Sequence, residues 1–120
     1  MQYENLDVWR RSRLFTIEVY KQCRGLKDFG FKDQITRSAL SVPSKIAEGM
    51  ERYTNPDKAN FLVIAKGSIG EFKTQVDIGV EIGYINPDLG KHWMKEAEAI
   101  SKMLGSLIIR LKNKKRKPIN

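Results

Sequence analysis

The sequence predicts an all-α fold of four helices. Three observations carry the prediction. Apolar residues recur at intervals of three and four along most of the chain. The tripeptide Asn-Pro-Asp appears twice, at Asn55-Pro56-Asp57 and Asn86-Pro87-Asp88, with the cap, first-turn proline and first-turn acid of a helix start. Only short turn-like stretches separate the periodic segments. At 120 residues the chain makes one domain with a modest core, and 41% hydrophobic with 30% charged residues fits a soluble folded protein.

The first helix is predicted from about Leu6 to Arg24. Leu6, Val8, Trp9, Phe15, Ile17, Val19, Tyr20 and Cys23 spread over an arc of about 200°, interrupted by Arg13 and Arg24. One face of a small bundle needs less, so the surplus predicts a homo-oligomer. Cys23, the single cysteine, has no internal disulfide partner and reads as a small core residue. "GLKDFGF" then reads as a loop, with Gly25 as a helix C-cap and Gly30 in a turn.

The second helix, about Asp33 to Tyr53, holds Pro43 in its middle, where proline costs about 3 kcal/mol. Either the helix stops near Leu40 and restarts with Ser41 as cap, or one helix kinks at Pro43. Phe31, Ile35, Ala39, Val42, Ile46 and Gly49 or Met50 keep phase through the proline, which favours the single bent helix. Ser38, Ser41 and Ser44, spaced by three, are placed to satisfy the freed carbonyls. The third helix, Pro56 to about Gly83, puts Phe61, Leu62, Ala65, Ile69, Phe72, Val76 and Val80 on one arc. Gly67, Gly70 and Thr74 lie on its other side, which predicts close approach of another helix. The fourth, Pro87 to about Asn113, carries Trp93, Ala97, Ile100, Leu104, Leu107 and Leu111 at bundle spacing.

The net charge of +8 is unevenly distributed. Residues 110–120 hold Arg110, Lys112, Lys114, Lys115, Arg116 and Lys117 without an acid, leaving 16 of the 22 cations against all 14 acids elsewhere. Residues 1–109 are therefore nearly neutral, and the chain divides into a four-helix bundle, residues 1–113, and a basic C-terminal tail, residues 114–120. Arg10, Arg11 and Arg13 on the first helix form a second basic cluster. Such patches fit nucleic-acid backbone, although no sequence-reading motif is present.

Four blocks of the chain also resemble a known family. "LDVW" (Leu6–Trp9), "SALSVPSKIAEG" (Ser38–Gly49), "FLVIAKGSIGEFKTQ" (Phe61–Gln75) and "GYI" (Gly83–Ile85) resemble, in order and spacing from about residue 5 to 112, the four-helix-bundle proteins encoded in intervening sequences of bacterial 23S rRNA genes. Lys45 and Gly70 depart from the residues usual there. The resemblance implies an up-down four-helix bundle in a ring-like homopentamer. It also implies kinship with the accessory variability determinant of diversity-generating retroelements, which binds a reverse transcriptase and nucleic acid. No activity is established for the intervening-sequence proteins themselves.

Catalytic chemistry finds little support. His92 is the only histidine and cannot build a site of three or four metal ligands with one distant Cys. "KGS" at Lys66–Ser68 lacks the glycine-rich approach of a phosphate loop. Glu48 and Glu71 read as structural acids between helices, pairing with Arg37 or Arg52 or accepting from the serine hydroxyls. The expectation is a non-enzyme without cofactor or metal. No apolar run reaches membrane-span length and no signal-like apolar core opens the chain, so a cytoplasmic location is expected. The expected partners are other copies of the chain, RNA or DNA, and a reverse transcriptase or other RNA-linked protein. The alternative is a protein-interaction or structural oligomer without nucleic-acid contact.

Overall fold

The apolar stripes converge on one core, in which Ile35, Leu62, Phe72, Trp93, Ile100 and Leu104 are fully buried. The structure, a computed structural model, describes residues 2–113. A 3-10 turn, Tyr3–Asn5, precedes α1 (Asp7–Gln22), α2 (Phe29–Met50), α3 (Asn55–Glu81) and α4 (Pro87–Asn113), with no strand among the described residues. Short connections make consecutive helices antiparallel neighbours in a four-helix bundle. α3 packs extensively on α2 and α4, whereas α1 packs mainly on α2 and lightly on α4. α1 and α3 therefore stand on a diagonal. Across it, the Phe15 and Phe72 rings meet edge to face with centroids 5.0 Å apart, and Trp93 lies 5.8 Å beyond Phe72.

Several boundaries differ from the sequence expectation, and capping explains them. α2 begins at Phe29, inside the expected loop, because the Asp28 carboxylate accepts from Phe31 N at 3.1 Å. Gly30 is thus helical. Tyr84 Oη donates to the same carboxylate at 3.0 Å, and the backbone and tyrosine hydrogen bonds hold the Asp28 carboxyl below the usual carboxylate range. α3 is capped by Thr54, which accepts from Asp57 N at 3.3 Å, so Asn55 is helical and not the cap. At α4 the expectation holds: Asn86 Oδ1 accepts from Asp88 N at 2.8 Å. Gly83, with φ +82°, follows the C-cap of α3 in a conformation that favours glycine.

α2 runs unbroken through a buried Pro43, which removes the two-helix alternative. The carbonyl freed by the proline is that of Ala39, and its partner comes from α1: Thr16 Oγ1 donates to Ala39 O at 3.0 Å and shares its proton with Ser12 O at 2.8 Å. The three serines do not serve it. Ser38 Oγ lies 2.6 Å from Gln75 Oε1 and 3.0 Å from Ile35 O, the Ser41 and Ser68 hydroxyls pair at 2.9 Å, and Ser44 is exposed. The freed carbonyl faces α1, while Ser38 and Ser41 face α3.

The expected approach at Gly67 and Gly70 is also absent within the chain, where nothing would lie within 4 Å of a Cβ at either position. Close approach occurs at Gly49 instead. A Cβ there would stand 2.7 Å from Phe61 Cβ and 3.2 Å from Lys58 O, so α2 and α3 touch at this level only because residue 49 lacks a side chain.

Candidate nucleic-acid interface

The antiparallel order gathers the start of α1, the end of α2, the start of α3 and the end of α4 at one end of the bundle. Arg110 and Lys112 are exposed in the last turn of α4, which contains no acid. Arg110 shares a groove with Leu6, Met50, Lys58 and Leu107. Lys58 is already engaged, since its Nζ donates to Met50 O at 2.9 Å and to Arg52 O, closing the C-terminus of α2. Lys114, Lys115, Arg116 and Lys117 lie outside the described residues.

The arginines of α1 divide by direction. Arg10 is exposed and pairs with Asp7 Oδ1 at 2.5 Å while donating to Glu4 O at 3.2 Å. Arg13 is exposed beside Leu14 and Trp9, bordering a shallow groove. Arg11 turns instead toward α4 and grips Glu96, Nε donating at 2.8 Å and Nη2 at 2.9 Å. The Arg11 hydrogen bond outweighs partial burial and holds the Glu96 carboxyl below its ordinary range. Such a bidentate pair is a strong clasp and occupies the guanidinium.

Among the other singled-out residues, Arg37 pairs with Asp33 at 3.0 Å. Glu48 meets Lys45 at 3.2 Å and Arg52 at 3.9 Å, so the Arg52 partnership exists on an exposed surface and not between helices. Arg52 also stacks over the Phe61 ring, 4.5 Å from its centroid. Glu71 is exposed on α3. His92 Nε2 lies 3.2 Å from Glu18 Oε1, which also accepts from Trp93 Nε1 at 3.3 Å. Burial raises the Cys23 thiol above its usual range, as expected for a core cysteine. No group of three or more potential ligands that could hold a metal ion occurs among the described residues. No helix among them is long and apolar enough to cross a membrane.

The family model for the 23S rRNA-intervening sequence protein matches residues 4–106. The chain belongs to that family. A crystal structure from Bacteroides thetaiotaomicron VPI-5482, of a protein with unknown function from the S23 ribosomal protein family, matches at a TM-score of 0.79 and 26% identity. The match covers 84% of this chain and 97% of that one. No curated protein matches. The intervening-sequence family thus accounts for four helices over nearly the whole bundle, and its blocks fall on packing features: Gly49 at the α2–α3 contact, Ser38 against Gln75, and Ser41 against Ser68. Missed in the sequence were Thr16, the Lys58 closure and the Arg11–Glu96 clasp. Thr16–Ala39 and Arg11–Glu96 join residues 23 and 85 apart, and Lys58 reaches back across a turn to main-chain carbonyls, so no helical side-chain spacing announces any of them.

Proposed function

We propose that the protein is a non-enzymatic, ring-like homo-oligomer of four-helix bundles, with α2 bent at Pro43, that binds RNA or DNA non-specifically through backbone phosphates. One observation carries the reading. The acid-free last turn of α4 presents Arg110 and Lys112 to solvent at the point where the sequence continues into Lys114, Lys115, Arg116 and Lys117. Arg10 and Arg13 supplement that charge, whereas Arg11 serves the α1–α4 clasp. Phosphate contacts release counterions, so affinity for duplex DNA falls with a log–log salt slope of about −0.9 per contact. The test replaces Lys114, Lys115, Arg116 and Lys117 with Gln and follows binding to RNA and duplex DNA from low to physiological salt. Lower affinity with a shallower slope is expected, and an unchanged slope and affinity overturn the reading.

Exposed aliphatic side chains on α1 and α3 favour a second reading, a protein-interaction oligomer of the reverse-transcriptase-accessory kind. Its signature is a stable assembly with no nucleic-acid affinity at about 0.15 M salt, where charges beyond roughly 8 Å are screened.

A further inference from the structure

The turn between α2 and α3, residues 51–54, gives its one aromatic side chain entirely to solvent. Tyr53 is 101% exposed, the highest value among the large apolar and aromatic side chains of the described residues. The backbone beneath it is fixed from both sides. Thr54 accepts from Asp57 N at 3.3 Å and so caps α3, while Lys58 Nζ donates to the Met50 and Arg52 carbonyls. Tyr53 therefore projects from a braced turn. Arg52, beside it in sequence, is held as well. Its guanidinium lies 4.5 Å from the centroid of the Phe61 ring and 3.9 Å from Glu48 Oε2, with the side chain 47% exposed. An aromatic ring next to a positioned guanidinium offers flat surfaces of the kind on which unpaired bases stack.

The turn also stands in the right place. Met50 and Asn55, on either side of it, line the groove shared with Leu6, Lys58 and Arg110, so the turn forms part of the rim. Tyr53 thus lies at the bundle end where α4 finishes in Arg110 and Lys112.

Charge alone does not bring a polyanion to the turn. Lys45, Arg52 and Lys58 stand against Glu48, Glu51 and Asp57, and across the groove Arg10 stands against Glu4 and Asp7. Only Arg110, Lys112 and the cations that follow them in sequence tip this end to positive. Phosphate attraction comes from the end of α4, and what the turn adds is flat surface. In a duplex the faces of each base are covered by its neighbours, so Tyr53 gains nothing there. In an unpaired strand a base can be splayed out and stacked on an aromatic side chain.

We infer that Tyr53, with Arg52 beside it, is a stacking site for an unpaired base of RNA or single-stranded DNA whose phosphates run to the basic end of α4. The inference rests on the nucleic-acid part of the reading above and names the strand form that this end of the bundle takes.

The experiment compares the full-length wild type with Tyr53→Ala, Tyr53→Phe and Tyr53→Trp by fluorescence anisotropy at one salt concentration. The probes are an unstructured DNA strand, the RNA strand of corresponding sequence, and each of them annealed to its complement. No packing is lost with so exposed a side chain, and circular dichroism checks that each variant keeps its helices. Removing a stacking partner weakens binding by about 5- to 150-fold per base. Tyr53→Ala is expected to show a loss of that size for both single strands and none for either duplex. Tyr53→Phe keeps the ring and is expected to bind as the wild type does. Tyr53→Trp is expected to lose tryptophan emission when single strand is added and to keep it with duplex, measured against the wild type, whose Trp93 is buried and Trp9 half-buried. A loss confined to one of the two single strands upholds the site and assigns it to that sugar. A Tyr53→Ala variant that keeps its single-strand affinity, or loses affinity for strand and duplex equally, overturns the stacking site while nucleic-acid binding stands. A wild type that binds neither form overturns both.

Discussion

The Ala39 carbonyl shows how one residue choice on α2 is answered on α1. Proline at position 43 removes the N–H that would bond this carbonyl, and Pro43 is buried. An unpartnered buried carbonyl costs about 1–3 kcal/mol, and the Thr16 hydroxyl, 3.0 Å away, removes that cost. The pair also ties α1 to α2 at mid-height, so the proline trades an intrahelical bond for one between helices. Thr16→Val keeps the shape and deletes the donor, and it is expected to destabilise the protein by about 1–3 kcal/mol in urea unfolding. In a Pro43→Ala background residue 43 regains an N–H that reaches Ala39 O, so the same Thr16→Val change is expected to cost measurably less. Equal losses in the two backgrounds would show that Thr16 acts independently of the proline.

α1 is held to the rest of the bundle by two kinds of seam. Toward α2 it is apolar and hydrogen-bonded; toward α4, where packing is light, Arg11–Glu96 and the Glu18 contacts to His92 and Trp93 form the seam. Glu96 titrates below its ordinary range because Arg11 donates to its ionised form. A carboxyl depressed in the folded state contributes stability above its unfolded pKa, near 4.3, and loses it as pH falls through the lower folded value. Acid titration of unfolding free energy is therefore expected to decline below about pH 5, with a slope that Glu96→Gln makes shallower. An identical slope in the variant would detach the clasp from acid stability. This seam also marks the limit of what the sequence discloses. The apolar stripes of α2, α3 and α4 were legible because each repeats at three and four within one helix, and Trp93 to Leu111 are buried as spaced. Helix starts were less legible, since Asp28 and Thr54 each stand one or more residues from the residue that sequence reasoning favoured as a turn or cap. Arg11 looked like a free cation because Glu96, 85 residues away, has no spacing relation to it.

At the scale of the whole molecule, assembly and charge act on each other. A single chain offers Arg110, Lys112 and the four cations that follow them in sequence, against a body that is close to neutral. In the proposed ring, copies sharing one direction would bring every α4 C-terminus to the same face, so a polyanion that reached one basic end would be held near the next. Linked contacts of this kind raise apparent affinity by about 10²–10⁴ without any new contact. A variant that tests this coupling is Ile78→Lys, at one of the exposed aliphatic positions of α3. It adds one positive charge, so simple electrostatics makes it a slightly better binder of nucleic acid. If it also dissolves the assembly, it is expected to bind a long single strand or duplex at least 10-fold more weakly than the wild type at the same salt, while an oligonucleotide too short to span two basic ends is bound about equally by both. Filter binding or fluorescence anisotropy with the two lengths separates the effects. A variant that is monomeric yet binds the long strand as tightly as the wild type would place nucleic-acid recognition within one bundle and leave the ring another purpose.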